Sequence, residues 1–293
     1  MLKVNKTKKI QNNPVFRIVS FLILLIYSAL LLYLIGFVTI TSFKSAFEFS
    51  NNKLGLPSRW VFDSYQQAFN LYVPIGTRKV YIEEMLYNTV LYCTLYLCIP
   101  MFAQVCVAYI CAKYPNSYTK FLYNAVVFFM VVPVLGTMSG ALEMSMKIGT
   151  YDNIWTAILF KFDFGGMTFL VLYGTFKGIP KDYMEAAQID GAGHALIMFK
   201  IMLPMGSSVI MVYVINMLIG LWNDWNTALI WFPSSPTIAY GLYRFSNLGA
   251  GNTAAGVPTQ CAAAVLAAIP AIVFFICFKN KIVGKLAIGG LKG

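Results

Sequence analysis

Residues Tyr183–Pro204 read YMEAAQIDGAGHALIMFKIMLP, a charged and helix-compatible segment set between apolar stretches. Asp182 and Glu185 follow Pro180, where a fixed φ suits a first helical turn and the helix dipole favours anions. A short helix over about Lys181–Ile189 is predicted. Asp190, Gly191 and Gly193 then break it, since glycine readily adopts φ > 0. A second helix over about His194–Met202 leads to Pro204 and the next apolar run. On pattern alone the segment is either a handle for a soluble partner or an ordinary amphipathic connector at the interface.

The surroundings decide which solvent matters. The chain of 293 residues is 59% hydrophobic and only 11% charged, against about a quarter charged in soluble domains. Ile18–Ile40 and Val90–Ala112 carry no charge, and Ala262–Phe278 is apolar throughout. Each is about long enough to cross a hydrocarbon core of roughly 30 Å. Phe121–Leu142, a segment between Ile154 and Phe176, and Val209–Phe232 are predicted as three further spans. Ile18–Ile40 exceeds the apolar core of a cleaved signal and reads as a retained anchor.

Charged residues inside spans are exceptions to be explained. A mid-bilayer lysine costs about 3 kcal/mol, so Lys161 and Asp163 are expected to face protein or water, or to lie near the outer boundary with Gly165 and Gly166 as a helix break. Asp224 either lies near the outer end of its span or faces a pore.

Orientation follows from the lysines and arginines. With the N-terminus inside, fourteen of the 22 basic residues fall inside, but only three of the 11 acidic ones, Asp182, Glu185 and Asp190. The net charge of +11 is thus accounted for by the positive-inside bias and does not require nucleic acid or another anionic ligand. The expected organisation is an all-α integral membrane protein of about six transmembrane helices, with both termini cytoplasmic. Residues 1–17 form a basic tail, 18–40 the first helix, 41–87 an external loop, 88–282 a core of five helices and 283–293 a cytoplasmic tail. The charged loop, residues 178–204, lies between helices 4 and 5 on the cytoplasmic side. Pro57, Trp60, Phe62, Tyr65, Tyr72 and Pro74 in the external loop read as an aromatic belt, a cap on the spans or a partner surface. The Ser-, Gly- and Asn-rich stretch from about Pro233 to Gln260 reads as an adaptable loop or a plain connector.

Catalytic chemistry has little to stand on. His194 is the single histidine, which excludes multi-histidine metal clusters. No GxxxxGK[ST] loop is present, so ATP is not held here in the P-loop manner. Cys93, Cys98, Cys106 and Cys111 lie in one span without metal-ligand spacing and read as small apolar packing groups. No metal or cofactor is expected on this chain.

The run EAAQIDGAGHALIMFKIMLP resembles the EAA motif of ATP-binding cassette (ABC) importer permeases: EAA, three residues, G, nine residues, then I, one residue and LP. Glu185, Ala186, Ala187, Gly191, Ile201, Leu203 and Pro204 fall in register. GIPKDY at Gly178–Tyr183, LGLP at Leu54–Pro57, Asn88 with Thr89, Trp222–Asp224 and GGLKG at Gly289–Gly293 are similar to the carbohydrate branch, in particular the smaller permease of maltose-type transporters. Ser207 and Ser208 depart from the pattern, where a further proline is common. The resemblance implies a multi-pass subunit of the cell membrane, paired with a second permease to enclose a pore for a sugar or oligosaccharide. It implies two ATPase subunits that bind ATP and Mg, with Glu185, Ala186, Ala187, Asp190 and Gly191 seated in a cleft of one of them, and an extracytoplasmic sugar-binding protein. Tyr213, Asn216, Trp222 and Asn223 are the polar and aromatic residues available to a sugar on the fifth span. The competing readings are an ATP-independent secondary transporter, which would need paired repeats and intramembrane ion sites, and an ABC permease for peptides or polyamines.

Overall fold

The structure, a computed structural model, describes residues 14–131, 136–160, 166–247 and 256–289. They fall into two compact units, one containing residues up to Leu71 together with those up to Leu266 on the last helix, the other running from Tyr72 with the rest of that helix.

In the first unit, helix α1 (Pro14–Ser42) is predominantly apolar, and most of its side chains are exposed as far as Ile35, with burial reached only at Thr41 and Ser42. That is the pattern of a helix solvated by lipid or by other spans. It ends in a small ordered cap built with α2 (Ala46–Asn51) and α3 (Asp63–Phe69). The rings of Trp60, Phe62 and Tyr65 lie 5.4, 5.4 and 5.2 Å from that of Phe43. Lys44 is buried and donates from Nζ to the carbonyl of Asn52 at 2.8 Å. Of the readings open for this segment, the structure selects a cap on its own span. The expected long external loop is thus folded.

The second unit opens with a hairpin, β1 (Tyr72–Ile75) and β2 (Arg78–Tyr81), paired antiparallel with Val73 opposite Val80, both buried. Gly76 at φ 58° supplies the left-handed first position of a two-residue turn. The fold is therefore predominantly helical but not all-α, a correction to the sequence expectation. Helix α4 (Ile82–Tyr96) passes through a π-turn at Leu97–Met101 into α5 (Phe102–Lys113). Pro100 sits in that turn. A wider turn accommodates a residue that cannot donate and would otherwise clash with the preceding turn.

Among the described residues four helices are long and apolar enough to cross a membrane: Pro14–Ser42, Ile82–Lys113, His194–Trp222 and Val257–Cys277. The third and fourth expected spans are not single helices. α6 (Ser117–Val131) and α7 (Thr137–Ile148) replace the third, with Gly136 at φ 79° ahead of α7. α8 (Ala157–Phe160) and α9 (Gly166–Gly178) replace the fourth, with Gly166 at φ 77° opening α9, in keeping with the break expected there. Lys161, Asp163 and Gly165 lie outside the described residues.

After α9 come α10 (Asp182–Ile189), α11 (His194–Ile197), a π-turn at Met198–Met202 and α12 (Leu203–Trp222). α13 (Trp225–Trp231), α14 (Ile238–Asn247) and α15 (Val257–Gly289) complete the chain. Asp224 is settled as the N-cap of α13: its carboxylate accepts the backbone N–H of Thr227 at 3.0 Å and the Tyr92 hydroxyl at 3.0 Å. The fifth span thus ends at Trp222 and Asp224 belongs to the turn beyond it. The Pro233–Gln260 stretch is also corrected. Among its described residues α14 is an amphipathic helix whose Ile238, Tyr240 and Phe245 are buried. Asn88 Nδ2 donates to Pro236 O at 3.1 Å and Thr89 Oγ1 accepts from Ile238 N at 2.9 Å, which fixes its entry.

Two apolar clusters stand out among the described residues of the second unit. One gathers Tyr92, Cys93, Leu221, Trp231, Phe232 and Tyr240. The other runs from Val105, Tyr109 and Cys111 of α5 through Phe169, Leu172 and Phe176 of α9 to the charged loop. The thiols of Cys93 and Cys111 are buried among apolar side chains, as expected of packing cysteines.

Candidate functional site: the charged loop between α9 and α12

The loop is an extension of the second core. Met184 and Ala187, three positions apart on α10, are buried with Ile197, Met198 and Met202 against the α5 and α9 side chains. Tyr183, Glu185, Ala186, Ile189 and Asp190 face outward. The five residues singled out from the sequence therefore divide. Glu185, Ala186, Asp190 and Gly191 are exposed, whereas Ala187 is buried in the core. Ile189 is 86% exposed. It shares the outward face with Glu185 at four-residue spacing and was missed in the sequence, although placing Met184 and Ala187 on the buried seam leaves it opposite. An isoleucine so displayed beside carboxylates, with Ala186 between them, makes a low surface with one apolar knob.

The end of α10 is a Schellman motif. Gly191 N donates to Gln188 O at 3.0 Å and Ala192 N to Ala187 O at 2.9 Å, with Gly191 at φ 79°. Gly193 differs from expectation: it is the extended N-cap of α11 at φ −72°. The second helix also runs longer than expected. From His194 the chain stays helical to Trp222, and the π-turn, in which Leu203 N donates to Met198 O, passes Pro204 without a break. The loop is thereby continuous with a helix long and apolar enough to cross a membrane. Ser207 and Ser208, which depart from the motif's pattern, lie inside α12, which has begun before them.

Two contacts from the corner after α5 brace the loop on both sides. Lys113 Nζ donates to Ile179 O at 2.5 Å, three residues before α10. The Tyr114 hydroxyl pairs with His194 Nδ1 at 2.9 Å at the start of α11, with the rings edge-on at 5.4 Å. The one histidine is thus engaged structurally.

The candidate pathway residues of α12 also separate. Asn216 and Asn223 lie on one exposed face with Gly220. Tyr213 packs against the second core, and the Trp222 indole N–H donates to Ala267 O at 3.2 Å. Trp222 lines an apolar cavity of about 290 Å³ with Leu97, Ile215 and Phe274. Among the described residues no group of three or more His, Cys, Asp and Glu side chains could hold a metal.

A helical membrane scaffold that presents a braced, charged helix pair at one end is the frame of a transport permease. The chain belongs to the family of binding-protein-dependent transport system inner membrane components, whose model matches residues 104–282; it is a multi-pass membrane protein. It is 24% identical to the diacetylchitobiose uptake system permease protein NgcG of Streptomyces coelicolor, over 94% of this chain and 88% of that one. It is 27% identical to the maltodextrin transport system permease protein MdxG of Bacillus subtilis, over 94% and 96%. A crystal structure of a bacterial ABC transporter involved in the import of the acidic polysaccharide alginate shares the fold, with a TM-score of 0.76 over 91% of this chain and 96% of that one at 18% identity. Membership sets aside the secondary-carrier reading.

Proposed function

We propose that this chain is one of two pore-forming subunits of an ATP-driven importer of oligosaccharides, with ATP and Mg held on two separate ATPase subunits and the sugar delivered by an extracytoplasmic binding protein. It crosses the membrane six times with both termini cytoplasmic. The third and fourth crossings are the broken pairs α6–α7 and α8–α9. The observation that carries the reading is α10: one seam rooted in the core, the opposite face offering Glu185, Ala186 and Ile189, and a continuous helix leading from the loop into the membrane. The outward face docks in a cleft of an ATPase subunit. Closure of the ATPase pair on ATP moves α10, and α12 follows as a rigid body, exchanging inward-open for outward-open states. The names of the relatives favour an oligosaccharide over a peptide or polyamine. Asn216 and Asn223 offer amides to sugar hydroxyls on the exposed face of α12. Tyr213 and Trp222 support that helix from behind.

Glu185→Lys and Ile189→Asp each place a charge where the ATPase groove receives the opposite charge or an apolar knob. A buried interface anchor is worth about 2 kcal/mol or more, so each variant is expected to lower ATPase retention on purification at least about tenfold and to abolish labelled-oligosaccharide uptake, with normal amounts of the chain in the membrane. Unchanged uptake in both variants would sink the coupling assignment.

A further inference from the structure

Beside the charged loop lies a second feature that the proposed coupling does not involve. A cavity of about 590 Å³ opens between α5, α6 and α9, lined by Lys113, Lys120, Lys177 and Lys181 together with Tyr123 and Tyr173. The positive-inside bias explains why lysines lie at this end, but it acts on loops at large and does not gather four of them round one cavity. Among the described residues the ion pairs are Arg78–Glu84 and Lys147–Glu143, so none of the four lysines meets a carboxylate. The α10 carboxylates Asp182 and Glu185 are exposed and do not line the cavity. Lys113 is only 5% exposed and its ammonium shares one of three donors, with Ile179 O. Lys181 lines the same cavity and adds a like charge beside the buried Lys113, and Lys177 is steadied over the Tyr173 ring at 5.4 Å. A buried ammonium with like-charged neighbours is costly unless an anion compensates it.

We propose that this cavity binds a phosphate group, its position at the end of the apolar helices favouring the headgroup of an anionic phospholipid. Phosphate oxygens accept from several ammonium groups at once, and lysine serves as a point charge for it. Basic pockets between transmembrane helices on the cytoplasmic side are suited to such headgroups, and Tyr123 and Tyr173, with rings 4.6 Å apart, line the same cavity, tyrosine being enriched at headgroup level. Lys120 and Lys177 are exposed, so replacing them leaves the core intact.

The test uses the intact transporter complex, purified with the wild-type chain or with K120Q/K177Q. Phosphatidylglycerol and phosphatidylcholine are titrated and bound lipid is counted by native mass spectrometry. A parallel arm measures radiolabelled inorganic phosphate on the delipidated complex. At about fivefold per lysine, phosphatidylglycerol is expected to bind the double variant about thirtyfold more weakly, with phosphatidylcholine weak in both. Saturable phosphate binding that depends on the two lysines, without a preference for phosphatidylglycerol, assigns the same site to a soluble phosphate. If neither probe distinguishes wild type from variant, the proposal is overturned. The readout does not involve the outward face of α10, so its failure leaves the coupling reading untouched.

Discussion

Gly191 and Gly193 stand two positions apart in the same turn, and only one of them needs to be glycine. Gly191 holds φ 79° and a Cβ there would meet no neighbour within 4 Å, so the cost of Gly191→Ala is backbone strain alone, about 1 kcal/mol. Gly193 is extended at φ −72°, with equally open surroundings. Gly193→Ala is expected to leave thermal unfolding of the purified complex unchanged, whereas Gly191→Ala lowers its midpoint; equal shifts would contradict the assignment of the turn. Glycine-rich composition announced a reversal here, but composition does not say which residue takes the left-handed conformation. That depends on where α10 stops, which is set by the burial of Met184 and Ala187.

Among the elements, α13 shows how a charge that looks out of place in a span becomes ordinary. Asp224 caps it, accepting from Thr227 N, the Thr227 hydroxyl and the Tyr92 hydroxyl. Loss of an N-cap costs about 1–2 kcal/mol, so Asp224→Ala is expected to destabilise the purified complex by about that much, measured by denaturant or thermal unfolding. Asp224→Asn is expected to recover most of it, since the amide oxygen still accepts from Thr227 N. No difference between the two would mean that the cap contributes little. The same principle marks the limit of reading spans by hydropathy. Apolar residues at Phe121–Leu142 and Ile154–Phe176 show only that a segment can enter a bilayer. Whether it does so as one helix or two is decided by left-handed glycines such as Gly136 and Gly166.

For the whole molecule, the charge bias predicts which side each end faces. Thr77 lies exposed at the tip of the β1–β2 hairpin and Ile189 is exposed on α10. In a cysteine-free background, Thr77→Cys is expected to react with a membrane-impermeant maleimide in intact cells. Ile189→Cys is expected to react only after permeabilisation, and more slowly when the ATPase is co-expressed. Labelling of Ile189→Cys in intact cells would invert the topology. Much of this level was legible in advance: the membrane class, the three charge-free spans, the charged loop and its register of Glu185, Gly191 and Pro204. The cap after α1, the hairpin and α14 were not. Their stability comes from contacts such as Phe43 with Trp60 or Asn88 with Pro236, between residues whose partners local periodicity does not identify.

The sequence by itself determined the solvent, the family resemblance and the presence of a helical loop between two spans, because transfer of charge into lipid and helix propensity are additive along a chain. Tertiary structure alone decided which face of α10 is free. It buried Ala187, displayed Ile189, joined the loop to α12 through a π-turn and gathered four lysines round one cavity, because each of these depends on what α5 and α9 place against the loop.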